Sequence, residues 1–262
     1  NGIKGENPFD GKGWMFGEWY GNNDKERIKS YIRGSVVKDK HGLFKKAEHS
    51  VNYLESHDGY TLGDFIRIAT GTNHQNKIED LNSHVKLSDK ELKLNKLAAM
   101  FLLVSRGIVM IHAGQEFARS KVIAENERVK DERAGLIDHN SYEKDDETNY
   151  LNYNHAEINS ELLNYYKGLI EIRKKFDAIR YSEYDNYKFL EDQENPFAFV
   201  VEINYKDENL FAAFNADHHK ETIFNLPEGR WRILADDNYA GLENQSCAEK
   251  IITLNSISGM IL

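Results

Sequence analysis

VNYLESHD, residues 51–58, is an apolar run that delivers His57 and Asp58 side by side. A buried-type strand that ends in an imidazole and a carboxylate suits the C-terminal rim of a (β/α)8 barrel. There, side chains leave the packed core and meet the ligand. The downstream sequence supplies the rest of a βαβ unit. Ser88 can cap a helix over 89–105 whose Leu94, Leu97, Ala98, Phe101 and Leu102 recur at helical spacing. Gly107 breaks that helix, and GIVMIHAG (107–114) follows as a fully apolar strand suited to a parallel sheet covered on both faces. The order helix, glycine, buried strand is the second half of a βαβ unit.

Outward from this centre, residues 1–13 are rich in Gly, Asn and Asp and read as loop. WMFGEW (14–19) suits a short strand. Asn23 or Asp24 can cap a helix presenting Ile28, Tyr31 and Ile32 on one face, and Gly34 can end it. After HDGYT, LGDFIRIA (62–69) reads as helix. Residues 35–48, 71–88 and 118–157 are polar and turn-like, and the last is long enough to point to function. From Ser160 to Phe176 an amphipathic helix carries Leu162, Tyr166, Leu169 and Ile172 on one side. Past Ala178 the period changes. Phe197, Phe199, Val201, Ile203 and Tyr205 alternate as an antiparallel strand does. LFAAFN, TIFNL, RWRILAD, KIITL and SGMIL follow as further short strands between turn signals, the pattern of a small β-sandwich. The expected organisation is thus α/β, with a boundary near residue 179: 1–178 as the C-terminal part of a (β/α)8 barrel, about strands six to eight with their helices, and 179–262 as an antiparallel sandwich.

Composition excludes several classes. Lys and Arg number 34 against 43 Asp and Glu, a net charge of −9. That balance disfavours nucleic acid, whose affinity rests on phosphate neutralisation, and suits a neutral ligand such as a sugar. No apolar run approaches the ~20 residues needed to span a bilayer. Cys247 is the only cysteine, so neither an intramolecular disulfide nor a Cys-based zinc site is available. The chain opens Asn1-Gly2 with no signal peptide and reads as a piece of a longer polypeptide, which leaves the compartment open between cytoplasmic and secreted bacterial.

Four blocks then occur in order: GEWYGNNDKERIKSYIRGS (17–35), VNYLESHDGYTLGD (51–64), SRGIVMIHAGQEFARSK (105–121) and NSYEKDDETNYLNYN (140–154). They resemble strands six to eight and the final loop of the α-amylase superfamily, glycoside hydrolase family 13, in its type I pullulanase and glycogen-debranching branch. The resemblance implies an α-glucan debranching hydrolase that cleaves α-1,6 bonds with retention, using an Asp nucleophile, a Glu general acid and a third carboxylate. In the family the first two belong to strands four and five. GEW offers Glu18 as an acid, but the interval to Asp58 is too short to hold the intervening strand and helices, which assigns Glu18 to strand six. The fragment alone is therefore expected to be inert. The alternatives are an α-1,4-acting amylase of the same superfamily and a non-catalytic glucan-binding or partner protein.

By the same resemblance Asp58 is the third, catalytic carboxylate, and His57, Asn140, Tyr142 and Asp146 contact substrate; Trp19 can stack on a glucose ring. Each has a plainer reading. A strand-end Asp caps the next helix, a His satisfies a core, an acidic loop is simply solvated, and a Trp packs. His112 reads as packed, while Gln115 and Glu116 can shape the mouth. The sequence departs from the branch at three places: Gly59 and Gly63 replace an Asn and a Trp usual after His-Asp, and Asn152 replaces an Asp. These bear on which linkage is cut. No cofactor is expected; calcium is compatible with the Asp- and Asn-rich loops but no EF-hand spacing supports it. The expected partners are an α-glucan and the missing half of the barrel, or an oligomeric partner, because three parallel strands alone expose sheet edge.

Overall fold

The computed structural model describes residues 2–125, 130–243 and 246–262. Where the sequence suggests only loop, Gly5–Asn7 (β1) and Gly11–Lys12 (β2) pair as an antiparallel hairpin. The strand expected over 14–19 does not form. Trp14–Phe16 is a single 3₁₀ turn with all three side chains buried, and Gly17, at φ 69°, closes it by donating its N–H to the Trp14 carbonyl. Left-handed backbone at Gly17 ends any extended path, so the apolar triplet reaches the core as a turn. Helix α1 (Lys25–Ile32) starts as expected, with the Asp24 side chain accepting from the Arg27 N–H, and it buries Ile28 and Ile32.

Strand β3 (Val51–Asn52) lies parallel to β4 (Ile108–Val109), with Val51 opposite Ile108. Between them run α2 (Leu62–Thr70), α3 (Leu81–Val85) and α4 (Asp89–Val104). Pairing covers only two residues of each predicted strand, because past Asn52 the chain turns inward to bury Leu54 and Glu55. Helix α3 falls in the stretch that reads as loop. Asp80 nucleates it by accepting from the N–H groups of Asn82 and Ser83. Val51, Tyr53, Ile108 and Met110 are exposed, so β4 is not covered on both faces among the described residues.

Helix α4 is the hub. Ser88 and Glu91 cap it reciprocally, and from Leu94 to Val104 every side chain is buried. It expresses no simple amphipathic face because α2, α6 and strands of the β region surround it. Helices α5 (Asn154–Ile158), α6 (Ser160–Lys175) and α7 (Asp177–Tyr181) follow the long loop. The loop expected over 118–157 therefore ends in a helical turn, and residues 126–129 of it lie outside the described residues.

The C-terminal region is built on one antiparallel sheet. Tyr187–Glu191 (β5), Ala198–Tyr205 (β6), Glu208–Asn215 (β7) and Ser258–Ile261 (β12) pair in the order β12-β7-β6-β5. Alternation along β6 and β7 sorts side chains between two cores, not between core and water. Phe199, Val201, Ile203, Leu210, Ala212 and Phe214 join the helices. Ala198, Val200, Phe211 and Ala213 face a second layer containing Phe224, Ile252 and Leu254. That layer comprises Thr222–Asn225 (β8) paired with Ile251–Leu254 (β11), beside Trp231–Arg232 (β9) paired with Cys247–Ala248 (β10). Of the RWRILAD run only Trp231–Arg232 forms a strand, and β5 carried no clear signal in sequence. The larger core is continuous across residue 179, from Ile28 through Leu97 to Phe214.

Gly168 shows how closely the helices meet the β region. A Cβ there would overlap the Ala240 carbonyl. Ala exceeds Gly in helix propensity by ~1 kcal/mol, yet backbone overlap cannot relax cheaply. Gly168→Ala should therefore lower unfolding free energy by about 1–3 kcal/mol in a denaturant titration, whereas Lys167→Ala on the exposed side should stay within ~0.5 kcal/mol. A stabilised Gly168→Ala would refute the close approach.

Candidate functional site

His57 and Asp58 sit on the surface turn between β3 and α2. Their side chains are 70% and 73% exposed, with His57 Nε2 3.3 Å from Asp58 Oδ2. The turn is fixed from below. The Thr61 side chain accepts from the Asp64 N–H at the start of α2, and the buried Glu55 carboxylate accepts the Leu62 N–H. Two of the four unpaired amides of that helix start are thereby satisfied. The other Glu55 oxygen lies 2.9 Å from His112 Nδ1 on the segment leaving β4. Glu55 thus ties the ends of both parallel strands to α2.

The second support is Lys121. Its side chain is 1% exposed, and its ammonium donates to the His57 carbonyl at 2.9 Å. Its own backbone N–H donates to Asp64 Oδ2 at 2.8 Å. Asp64 is fully buried and its other oxygen faces Arg67 Nη1 at 3.3 Å and His84 Nε2 at 3.6 Å. Arg67 in turn donates to the carbonyls of Val85 and Ala118. Burial pushes the Asp64 carboxyl up. The hydrogen bond from His84, the Arg67 charge and bonds from Ser120 and the Lys121 N–H outweigh that, leaving it below the usual aspartate range. Burial also lowers the Lys121 ammonium.

From Lys121 the chain leads to the second wall. Val122 bridges antiparallel to Ile137, and the Asp138 N–H donates to the Lys121 carbonyl. Asn140 donates its N–H to Asp138 Oδ1 and forms an antiparallel bridge with Asp58. Tyr142 is exposed and its hydroxyl donates to Glu143 at 2.8 Å. That bond raises the phenol, with Glu143 and the more distant Asp58 charges adding to it. Asn149 holds the loop closed by donating to the carbonyls of Ser141 and Lys144, and Asp146 Oδ1 accepts the Thr148 N–H within it.

Of the residues read from sequence, His57, Asp58, Asn140 and Tyr142 come together, and Asp146 stands in the same folded loop. Trp19 stands elsewhere. It stacks on Phe197, centroids 4.9 Å apart and planes at 25°, packed against the main core. Gln115 is buried and donates to the Tyr166 hydroxyl, and His112 pairs with Glu55. Gly63 has a packing reason, since a Cβ there would lie 2.7 Å from the Ala118 carbonyl. Sequence reasoning passed over Glu55, Asp64 and Lys121. The available signal was ionisable residues inside otherwise apolar blocks, which have to find partners. Among the described residues no group of three His, Cys, Asp or Glu side chains is placed to hold a metal ion, and no helix is long and apolar enough to cross a membrane.

Comparison with known proteins gives the chain its relatives. No family model matches. The pullulanase of Bacillus subtilis (strain 168) is 30% identical over 138 residues, covering 53% of this chain and 16% of that protein. The chloroplastic isoamylase 1 of Oryza sativa subsp. japonica is 26% identical over 223 residues, covering 73% and 26%. Among solved structures, the pullulanase from Bacillus acidopullulyticus superposes with a TM-score of 0.77 at 22% identity, over 100% of this chain and 29% of that one. The chain is a relative of pullulanases and isoamylases, has the mixed helix-and-sheet fold of the matching part, and spans less than a third of their length.

The buried Asp64 predicts a pH signature. Its folded value lies below its unfolded value of ~3.9, so its stabilisation is complete above that pH and is lost as pH falls through the folded value. Asp64→Asn leaves Arg67 buried without its counter-charge and should cost on the order of 3–5 kcal/mol at neutral pH. Thermal melts of the two proteins should converge on acidification below about pH 4. A constant gap between them from pH 7 to 3 would contradict the assignment.

Proposed function

We propose that this chain is the C-terminal part of an α-glucan debranching hydrolase that cleaves α-1,6 bonds with retention. The observation that carries the reading is the bridge between Asp58 and Asn140, which joins the His-Asp turn to the 138–149 loop in one exposed site. The finer architecture of the proposal is strands six to eight of a (β/α)8 barrel over 1–178 and a sandwich over 179–262. The parallel β3–β4 pair, with its outward Val51, Tyr53, Ile108 and Met110, supports pairing with further parallel strands supplied from outside these residues.

On this reading the Asp58 carboxylate accepts hydrogen bonds from hydroxyls of the sugar at the cleavage point. Those bonds strengthen as the ring flattens toward an oxocarbenium ion, which lowers the barrier without nucleophilic attack. His57 donates to the same sugar. Asp146, with Asn140 and Tyr142 beside it in the same loop, meets the neighbouring unit. The nucleophile and general acid belong to strands four and five of the family pattern and are not matched by these residues. Trp19, stacked on Phe197, is left out of this subsite.

The test compares this chain with the whole polypeptide that contains it, on pullulan, branched limit dextrins and linear maltooligosaccharides. The whole polypeptide should release reducing ends from the branched substrates and the chain alone should not. In the whole polypeptide Asp58→Asn should lower kcat by more than about 100-fold with an unchanged melting profile. Retention of more than a few percent of kcat would remove Asp58 from the catalytic set, and cleavage of linear chains alone would replace debranching with α-1,4 activity.

A further inference from the structure

A second cleft lies apart from the His57–Asp58 turn, where the 12–18 turn, the end of α2, the start of α4 and the 217–219 turn meet. Its volume is about 450 Å³, within the ~300–1,000 Å³ of small-molecule sites. We infer that this cleft binds a neutral saccharide of two or three units, at a site distinct from the one that holds Asp58.

The argument starts from charge. Lys12 and Glu18 on its wall form an ion pair at 3.1 Å and largely cancel. Lys90 and Asp217 also line it and are opposite in charge. His218 points Nε2 at the Met15 carbonyl, 3.3 Å away. A carbonyl can only accept, so Nε2 carries the proton and Nδ1 of the neutral ring remains an acceptor. Burial lowers His218 and favours that neutral form. The two lysines and two carboxylates of the wall balance, which favours neither an anion nor a cation through these groups and suits a ligand with many hydroxyls.

The second element is apolar lining. Phe197 lines the cleft and is braced by Trp19 stacked against it. Aromatic carbon from Phe16 and Phe197 beside acidic and basic side chains matches the mixed surface of a pyranose, apolar C–H face and hydroxyl rim. The wall is also built from both ends of the chain. His218 and Gly17 approach each other across it, and Asp217 fixes the far turn by accepting the N–H groups of His219 and Lys220. A preformed wall costs little ordering on binding. That the saccharide is an α-glucan rests on the proposed function; that it is a neutral saccharide rests on the cleft.

The experiment is an amide NMR titration of the whole polypeptide that contains this chain, isotope-labelled in this segment only, with maltotriose, cellotriose and inorganic phosphate. Maltotriose should shift the amides of residues 17–19 and 217–219 saturably, with a Kd in the millimolar range. Binding should weaken at least about tenfold in both Glu18→Ala and His218→Ala and stay unchanged in Asp58→Ala. Saturation by cellotriose with no response to maltotriose would uphold the cleft and count against the α-glucan reading. Saccharide shifts confined to residues 57–58 and 138–146, no saturable saccharide shift anywhere, or saturation of the cleft by phosphate would each overturn the inference. Cleavage of pullulan by the whole polypeptide bears on the proposed function alone.

Discussion

A carboxylate with no access to water has to be satisfied by the protein, and Asp64 imposes that constraint on everything around it. An unpaired buried charge costs several kcal/mol, so Arg67, His84 and the Lys121 amide are drawn to it from three separate segments. The consequence is positional. Lys121 anchored in this way reaches up to the His57 carbonyl, and its own carbonyl and the neighbouring Val122 hold Asp138 and Ile137, which brings Asn140 into place beside Asp58. The exposed pair owes its position to residues that never meet solvent.

A similar economy governs the β region. The sheet of β5, β6, β7 and β12 presents apolar side chains on both faces, one to the helices and one to the smaller sheets. Helix α4 is buried throughout its last three turns for the same reason, since it lies between layers. Met100 of that helix touches β12 so closely that a Cβ at Gly259 would stand 2.6 Å from its sulfur. The two regions read from sequence thus share one continuous core, and the helices cannot be loosened without disturbing the sheet.

Much of this was legible in the sequence where one periodicity or one cap decides the outcome. Asp24 and Ser88 each announce a helix start, and the alternation from Phe197 to Tyr205 announces a strand, whereas the cap of α2 is Thr61 and not the strand-end Asp58. The run 14–19 was not legible, because burial of Trp14, Met15 and Phe16 is equally well met by a turn and the choice falls to the left-handed Gly17. Helix α3 and the β1–β2 hairpin are too short for a period to register. In the site, the neighbours His57 and Asp58 stood out as a pair. Their link to Asn140 runs through an 82-residue separation that only the fold closes, and Trp19 was drawn away by Phe197, itself 178 residues distant.

The central claim is that a buried ion network sets the geometry of the exposed site, and amide hydrogen exchange in a Lys121→Met variant tests it most directly. Methionine fills the same volume without the ammonium, so the fold is kept while the anchor on His57 is lost. Exchange of the Asp58 and Asn140 amides should accelerate by roughly tenfold or more, with the amides of α4 unchanged. Equal protection of residues 57–60 and 138–142 in both proteins would mean that the turn and its loop hold themselves in place, and that the buried charges do not determine the site.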